Sequence, residues 1–365
     1  MELSFNTPLN GVSFGQMSIA LLREAHSKKA NVNLLPLADQ LDLSSQSQSD
    51  EEFLNWIKGG VEGFPENHSK DTPTIKVWHL EPKHGFNNIS SNEALFTFYE
   101  LDAPTKTEIN IARRQPHVIV SSKYTKEILD SSADINCHYV PLGFDKNSFK
   151  VIPKDYHSDD RITFNLCGKF ENRKRHAKIL KSWAAKYGND KRYALQCAIF
   201  NPFLDAKANN DVISQSLNGE QYFNITFLPM MQTNEMYNDF LNSSDIIIGM
   251  SGGEGWGLPE FQSVALGKHG VILDAHGYQG WANNENCVMV SPTSRIDSHD
   301  GVFFKKGNNT NQGQLFDWSE DDFISGCEEA IKRSNDNKVN EVGLKLQEDF
   351  SYEKTFKGIT DILGL

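Results

Sequence analysis

Short runs rich in β-branched and aromatic residues alternate with stretches of helical periodicity from one end of the chain to the other. This alternation is the pattern of repeated βαβ units and predicts parallel sheets. In the first half it predicts strands at 2–5, 32–35, 74–78, 95–99 and 117–121, with helices near 16–26, 51–58, 105–114 and 122–131. The Ser/Gln-rich piece 44–50 is expected to be a solvated loop. A turn-rich connection follows, from Pro141-Leu142-Gly143-Phe144 to about Asp160, and the alternation then restarts. Strands are expected at 162–167, 193–198, 225–228, 246–249 and 270–273, and helices at 176–186, 234–241 and 260–266. A helical tail covers 319–334, with one or two more helices in 339–363. A doubly wound sheet that restarts after a linker predicts an α/β protein of two Rossmann-like domains facing a central cleft, where such sheets bind ligands. The expected boundaries are 1–150, 151–345 and a final helix at 346–365 that packs back on the first domain.

Length agrees, since 365 residues divide comfortably into two α/β domains. No apolar run approaches the ~20 residues of a membrane span, and Met1-Glu2-Leu3-Ser4 begins no signal peptide. A cytoplasmic location is the expectation, the host cytoplasm if the source is viral. The five cysteines stand singly, as small buried hydrophobes in a reducing compartment. A net charge of −12 argues against wholesale binding to phosphate backbones.

Two stretches carry chemistry. Ser251-Gly252-Gly253-Glu254-Gly255-Trp256-Gly257-Leu258-Pro259 follows a strand and precedes a helix. Its glycines allow close backbone approach to a ligand, the helix N-terminus favours an anion, and Glu254 can accept hydrogen bonds from sugar hydroxyls. The competing reading is a tight turn with a solvent-facing glutamate. Gly168-Lys169-Phe170-Glu171-Asn172-Arg173-Lys174-Arg175-His176 also follows a strand, and four cations within seven residues suit a diphosphate. Charge runs are commonly just solvated faces; the placement between strand and helix favours phosphate.

These two segments resemble the nucleotide-sugar site of glycosyltransferase family 4, the group 1 type with the GT-B fold. Lys169 and Lys174 fall on its two basic positions, Glu254 on the first glutamate of its E-x(7)-E block, and Gly255-Trp256-Gly257-Leu258-Pro259 on the block's start. Tyr139-Val140-Pro141-Leu142-Gly143-Phe144-Asp145 looks like the family's linker, and Ser244-Asp245, Asn286-Cys287-Val288 and Phe350-Ser351-Tyr352 fall where other family-like pieces occur. Gln262 replaces the second glutamate, which in the family grips the ribose, with Glu260 two residues before it. The resemblance implies that Lys169, Lys174, Arg173 and Gly15 meet the donor diphosphate. It implies that Gly255, Trp256, Gly257, Leu258, Glu260, Gln262 and the loop after Leu228 meet the sugar and nucleotide. Glu254, Glu100 and His79 are the candidate catalytic residues, although Glu100 and His79 have structural roles as their alternative, and a plain turn is the alternative for the loop at Gly15.

The implied activity is a retaining glycosyltransferase using a UDP- or GDP-sugar as co-substrate, with no other cofactor. A saccharide acceptor ranks first. Modified DNA ranks second, through a basic strip of Lys106, Arg113, Arg114, Lys123 and Lys126. A non-catalytic nucleotide-sugar-binding protein or an epimerase of the same architecture is the other class. No D-x-D pair, metal-ligand histidine spacing, G-x-x-x-x-G-K-[ST] or G-x-G-x-x-G occurs, so catalysis is expected to need no metal.

Overall fold

The computed structural model describes residues 1–46, 50–132, 134–153, 160–300 and 304–365. The predicted loop at 47–49 and linker at 154–159 lie outside the described residues. The first sheet contains β1 (Glu2–Leu9), β2 (Asn31–Leu41), β3 (Thr74–Val77), β4 (Glu93–Thr97), β5 (His117–Val120) and β6 (Cys137–Tyr139), in the order β2-β1-β3-β4-β5-β6. All five of its pairings are parallel. The second contains β7 (Ile162–Cys167), β8 (Tyr193–Ala198), β9 (Ile225–Phe227), β10 (Ile246–Gly249), β11 (His269–Leu273) and β12 (Val288–Val290), in the order β12-β11-β10-β7-β8-β9. It too is wholly parallel.

Strands covered by helices on both faces read as unbroken apolar runs, and Ile246-Ile247-Ile248 is buried throughout between β7 and β11. The winding reverses between β1 and β3 in one sheet and between β7 and β10 in the other. Crevices open beyond the carboxyl ends of strands at such reversals. Both chemistry-bearing segments lie at the second one.

Short or polar elements escaped the periodicity. Three residues of β6 and of β12 suffice for an edge strand, and helix Ala206–Ser216 buries only Asn209. An antiparallel hairpin of β13 (Ser294–Asp297) and β14 (Gln314–Asp317) was not expected either. Residues 44–46 are not a solvated loop: they form a 3₁₀ turn with Ser45 and Gln46 buried. Gln46 accepts from Arg23 at 2.5 Å and donates to Gln16 at 3.1 Å, which satisfies the amide away from water.

The last helix, Tyr352–Leu363, packs on helix Ser13–Ser27 and on β4, and Asn92 Nδ2 donates to its Leu363 carbonyl at 2.9 Å. Gln16 and Asn234 exchange two amide hydrogen bonds between the two halves, at 2.7 and 3.0 Å. Arg23 anchors the connection through Asp145 at 2.8 Å and Ser148 at 3.0 Å. Among the described residues no helix is long and apolar enough to cross a membrane.

Candidate functional site

The loop after β7 turns at Gly168, whose φ of +111° lies where only glycine is comfortable. A Cβ there would stand 3.0 Å from Lys174 Cε, so the glycine also lets Lys174 fold back over the strand end. A 3₁₀ turn at Asn172–Lys174 and a left-handed Arg175 then lead into helix His176–Tyr187. The loop after β10 is stitched to the first one: Gly252 N donates to the Arg173 carbonyl at 2.9 Å, and Arg173 NH1 donates to the Gly253 carbonyl at 2.5 Å.

Between these loops lies a buried charge cluster. Glu254 Oε1 is 2.6 Å from Lys174 Nζ and 2.8 Å from Arg173 NH1. Arg173 also reaches Glu171 at 2.8 Å and, from across the cleft, Glu100 at 3.2 Å. Burial opposes charge on Glu254, but Arg173 and Lys174 more than reverse this and hold its carboxyl far below the usual range. Burial also works against Lys174, and Glu254 and Glu260 overcome it, so its pKa rises. Desolvation by the surrounding protein pushes Glu100 up to about 7, with Arg173 opposing and Glu254 and Glu171 reinforcing, although its side chain keeps 31% exposure at the cleft.

Proximity sorts the expected residues. Lys169, Lys174, Glu254 and Glu100 do meet at this crevice, where Lys169 keeps 41% exposure, 3.9 Å from Glu171 and with its ammonium over the Phe203 ring. Arg173, expected at a diphosphate, instead has its guanidinium held by three carboxylates and a carbonyl, and it joins loops. Arg175 leaves the site altogether to pair with Asp317 at 3.0 Å. Trp256, expected at the sugar, is 2% exposed and packs its ring on Phe261 and Phe350 in the core.

Gly253 and Gly255 approach the other domain: added Cβ atoms would stand 2.6 Å from the Glu100 carbonyl and 2.9 Å from Phe98. Gly257, at φ +83°, passes over the Tyr278 ring and opens helix Leu258–Ala265. No protein acceptor among the described residues takes up the N–H groups of Gly255, Trp256, Gly257 or Leu258. Of the two residues expected at the ribose, Glu260 lies within electrostatic reach of Lys174 and Glu254, and burial raises its pKa. Gln262, also buried, sits roughly 200° further round the helix, so the two cannot face the same way. Leu228 is half-buried just after β9 and continues the pairing by donating to the Cys197 carbonyl.

The first domain supplies a different wall. Gly15 is buried, and a Cβ there would lie 2.1 Å from the Asn10 carbonyl, so it keeps the turn tight while Gly11, Val12 and Ser13 are the exposed part. Phe14 meets the His79 ring edge-on at 4.4 Å and lies 5.2 Å from Phe98 and 6.1 Å from Trp78. His79 keeps an exposed surface, yet desolvation by the surrounding protein, with Lys169 and Arg173 nearby, holds its pKa well below the ordinary value. Sequence reasoning missed Phe14, Phe203 and the pairing role of Glu171, the single acid inside the basic run. Among the described residues no three His, Cys, Asp or Glu side chains are grouped to hold a metal ion.

No protein-family profile matches the chain, and no curated protein sequence does. Solved structures do. Sucrose-phosphate synthase from Thermosynechococcus elongatus superposes with a TM-score of 0.67 at 12% identity, covering 99% of this chain and 98% of its own. The N-terminal domain of Candida albicans trehalose-6-phosphate phosphatase gives 0.65 at 9% identity, over 100% and 98%. Anabaena HepE, solved with UDP-glucose, gives 0.59 at 13% identity, over 100% and 99%. The two parallel six-stranded sheets, the crevice at their winding reversals and these end-to-end likenesses together give the chain the glycosyltransferase-like GT-B fold that its motifs resemble.

Proposed function

We propose that the chain is a retaining glycosyltransferase that moves a sugar from a UDP- or GDP-sugar to an acceptor hydroxyl of a saccharide, without a metal. The observation that carries this reading is the convergence of Lys174, Lys169, Glu254 and unpartnered N–H groups at one strand-order reversal. Anions favour such helix N-termini and amide clusters. A HepE structure holds UDP-glucose. The same fold occurs in a protein named as a phosphatase domain, so fold alone does not assign the chemistry.

In this reading the diphosphate displaces the Glu254 carboxylate from Lys174, and Lys169 closes from the solvent side. These cations neutralise charge that grows as the diphosphate leaves. Glu254, once released, accepts from the sugar hydroxyls, and Glu260 is the ribose partner in place of Gln262. The acceptor hydroxyl attacks from the first domain on the face that the diphosphate leaves, and a leaving phosphate oxygen takes its proton. DNA is not favoured as acceptor: Lys126 is paired with Asp130, Lys123 lies over Tyr139, and Arg114 over Phe86.

Incubation with a panel of nucleotide sugars, with and without excess EDTA, tests the proposal. Release of nucleoside diphosphate from a UDP- or GDP-sugar, undiminished by the chelator, is expected. No release from any donor would return the chain to a binding protein, and loss restored by Mn²⁺ would remove metal independence.

A further inference from the structure

The segment after β12 serves neither parallel sheet. It runs out as the β13–β14 hairpin and lies on the first domain, where Phe304 and Leu315 are buried with Tyr99 and Leu101. Asp102 pairs with Arg295 at 2.6 Å and accepts from Gln314 N at 2.7 Å. The Arg295 guanidinium stacks 3.5 Å from the Phe316 ring centroid, which fixes its approach. Glu108, itself buried, accepts from Asn311 N at 2.8 Å, and Thr105 donates to the Asn309 carbonyl at 2.5 Å. Gly313, at φ +132°, is needed here because a Cβ would stand 2.4 Å from Asp102.

On its other edge the same hairpin holds the glycine-rich loop. Phe316 N donates to the Gly252 carbonyl at 2.9 Å, and Leu315 packs against Gly252 and Gly253. Asp317 is held by Arg175 and Lys178. One element thus touches both the loop that carries Glu254 and the segment that carries Glu100. Tyr99 and Leu101, the two neighbours of Glu100, are both anchored in the hairpin's apolar cluster. Glu100, between them, reaches Arg173 instead.

We propose that the described parts of this arm, 294–300 and 304–317, form a strap across the cleft, with Asp102 and Arg295 as the positioning pair that sets Glu100 opposite Arg173 and Glu254. Neither residue touches the reacting groups; they act through the strand end. The strap holds the two halves at their present separation, and its loss lets the Glu100 segment and the glycine-rich loop drift apart. A displacement of about 1 Å at a reacting centre costs on the order of a hundredfold in rate.

The inference rests on the glycosyltransferase reading for its kinetic measurement only. Because all five native cysteines are buried, spin labels can be placed at exposed positions with Glu62→Cys and Lys207→Cys, one in each half. Electron–electron distances are then compared for the labelled parent, Arg295→Ala and Phe304→Ser; the second breaks the apolar tip should the first perturb folding. A longer or broader distance distribution is expected. With it, kcat should fall roughly tenfold to a hundredfold while the donor KM stays within about threefold, the split that marks lost positioning over lost binding. An unchanged distribution in both variants overturns the strap whatever the turnover, and a widened one with parental kcat overturns the positioning role. If the parent turns over no donor, the glycosyltransferase reading fails and the distances alone decide the strap.

Discussion

After β7 and β10 the chain buries Glu171, Arg173, Lys174 and Glu254 within bonding distance of one another, whereas after β1 and β3 it presents Val12, Phe14, Trp78 and His79, with His79 open to water. The positions are equivalent, each at the winding reversal of a six-stranded parallel sheet. In the first crevice every charge needs a partner, because an unpaired buried ion is expensive. A phosphate ligand must therefore compete with carboxylates already in place. The aromatic wall has few such obligations and can be altered with little effect on the fold. One side is tuned by charge balance, the other by shape.

Four measurements can break or sharpen this contrast. The largest effect is expected within the charged crevice itself. Lys174→Ala removes a buried ammonium that is the close partner of Glu254, and kcat/KM should fall about a hundredfold or more; exposed Lys169→Ala should cost only about tenfold, given ~1.5–3 kcal/mol per hydrogen bond to a charged group. Equal losses would show that burial does not rank the two lysines.

Next comes Glu254→Gln. Transfer should fall about ten- to a hundredfold, while calorimetric affinity for free nucleoside diphosphate is retained or rises, because Lys174 and Arg173 lose the carboxylate that competes with phosphate. A parallel loss of nucleotide affinity would place Glu254 on the nucleotide instead.

The aromatic wall should respond more mildly. His79→Ala is expected to lower turnover about fivefold to tenfold through the acceptor side, and to leave stability within about 0.5 kcal/mol, as for exposed positions. A large fall in melting temperature would make His79 part of the core and not of the wall.

The smallest effect is a pH dependence. Glu100 has its folded-state pKa raised to about 7 from an ordinary value of 4.5, so the folded chain holds a proton that the unfolded chain has released. Its contribution to stability is therefore present below about pH 4.5 and is lost as pH rises through 7. Glu254, held low, has the opposite sign: its contribution is lost on acidification. Between pH 5 and 8 the melting temperature of the parent should fall relative to that of Glu100→Gln, and parallel curves would remove the raised carboxyl.

Much of the fold was legible because its strongest signals are local. The runs at 162–167, 246–249 and 117–121 are buried on both faces, so their apolar character shows without knowledge of their neighbours. That Lys174, Glu254 and the glycines meet at one strand end was legible for a related reason, because a strand-to-helix loop that must approach another backbone needs glycine. Arg173 and Trp256 were misplaced because sequence proximity to a site does not say which way a side chain turns. The β13–β14 arm escaped because its strands have only four residues each and its apolar partners, Tyr99 and Leu101, lie about 200 residues away in sequence.

By itself, then, the sequence determined two βαβ-built halves and which charged and glycine-rich segments stand at the strand ends of the second, since periodicity, glycine tolerance and clustered charge act over a few residues. Only the tertiary structure decided that Arg173 is spent on three glutamates, that Glu260 comes within electrostatic reach of Lys174, and that one hairpin spans both halves. Those outcomes depend on charge pairing and packing between segments brought together by the winding of the sheets, and such long-range partners leave no periodic trace in the chain.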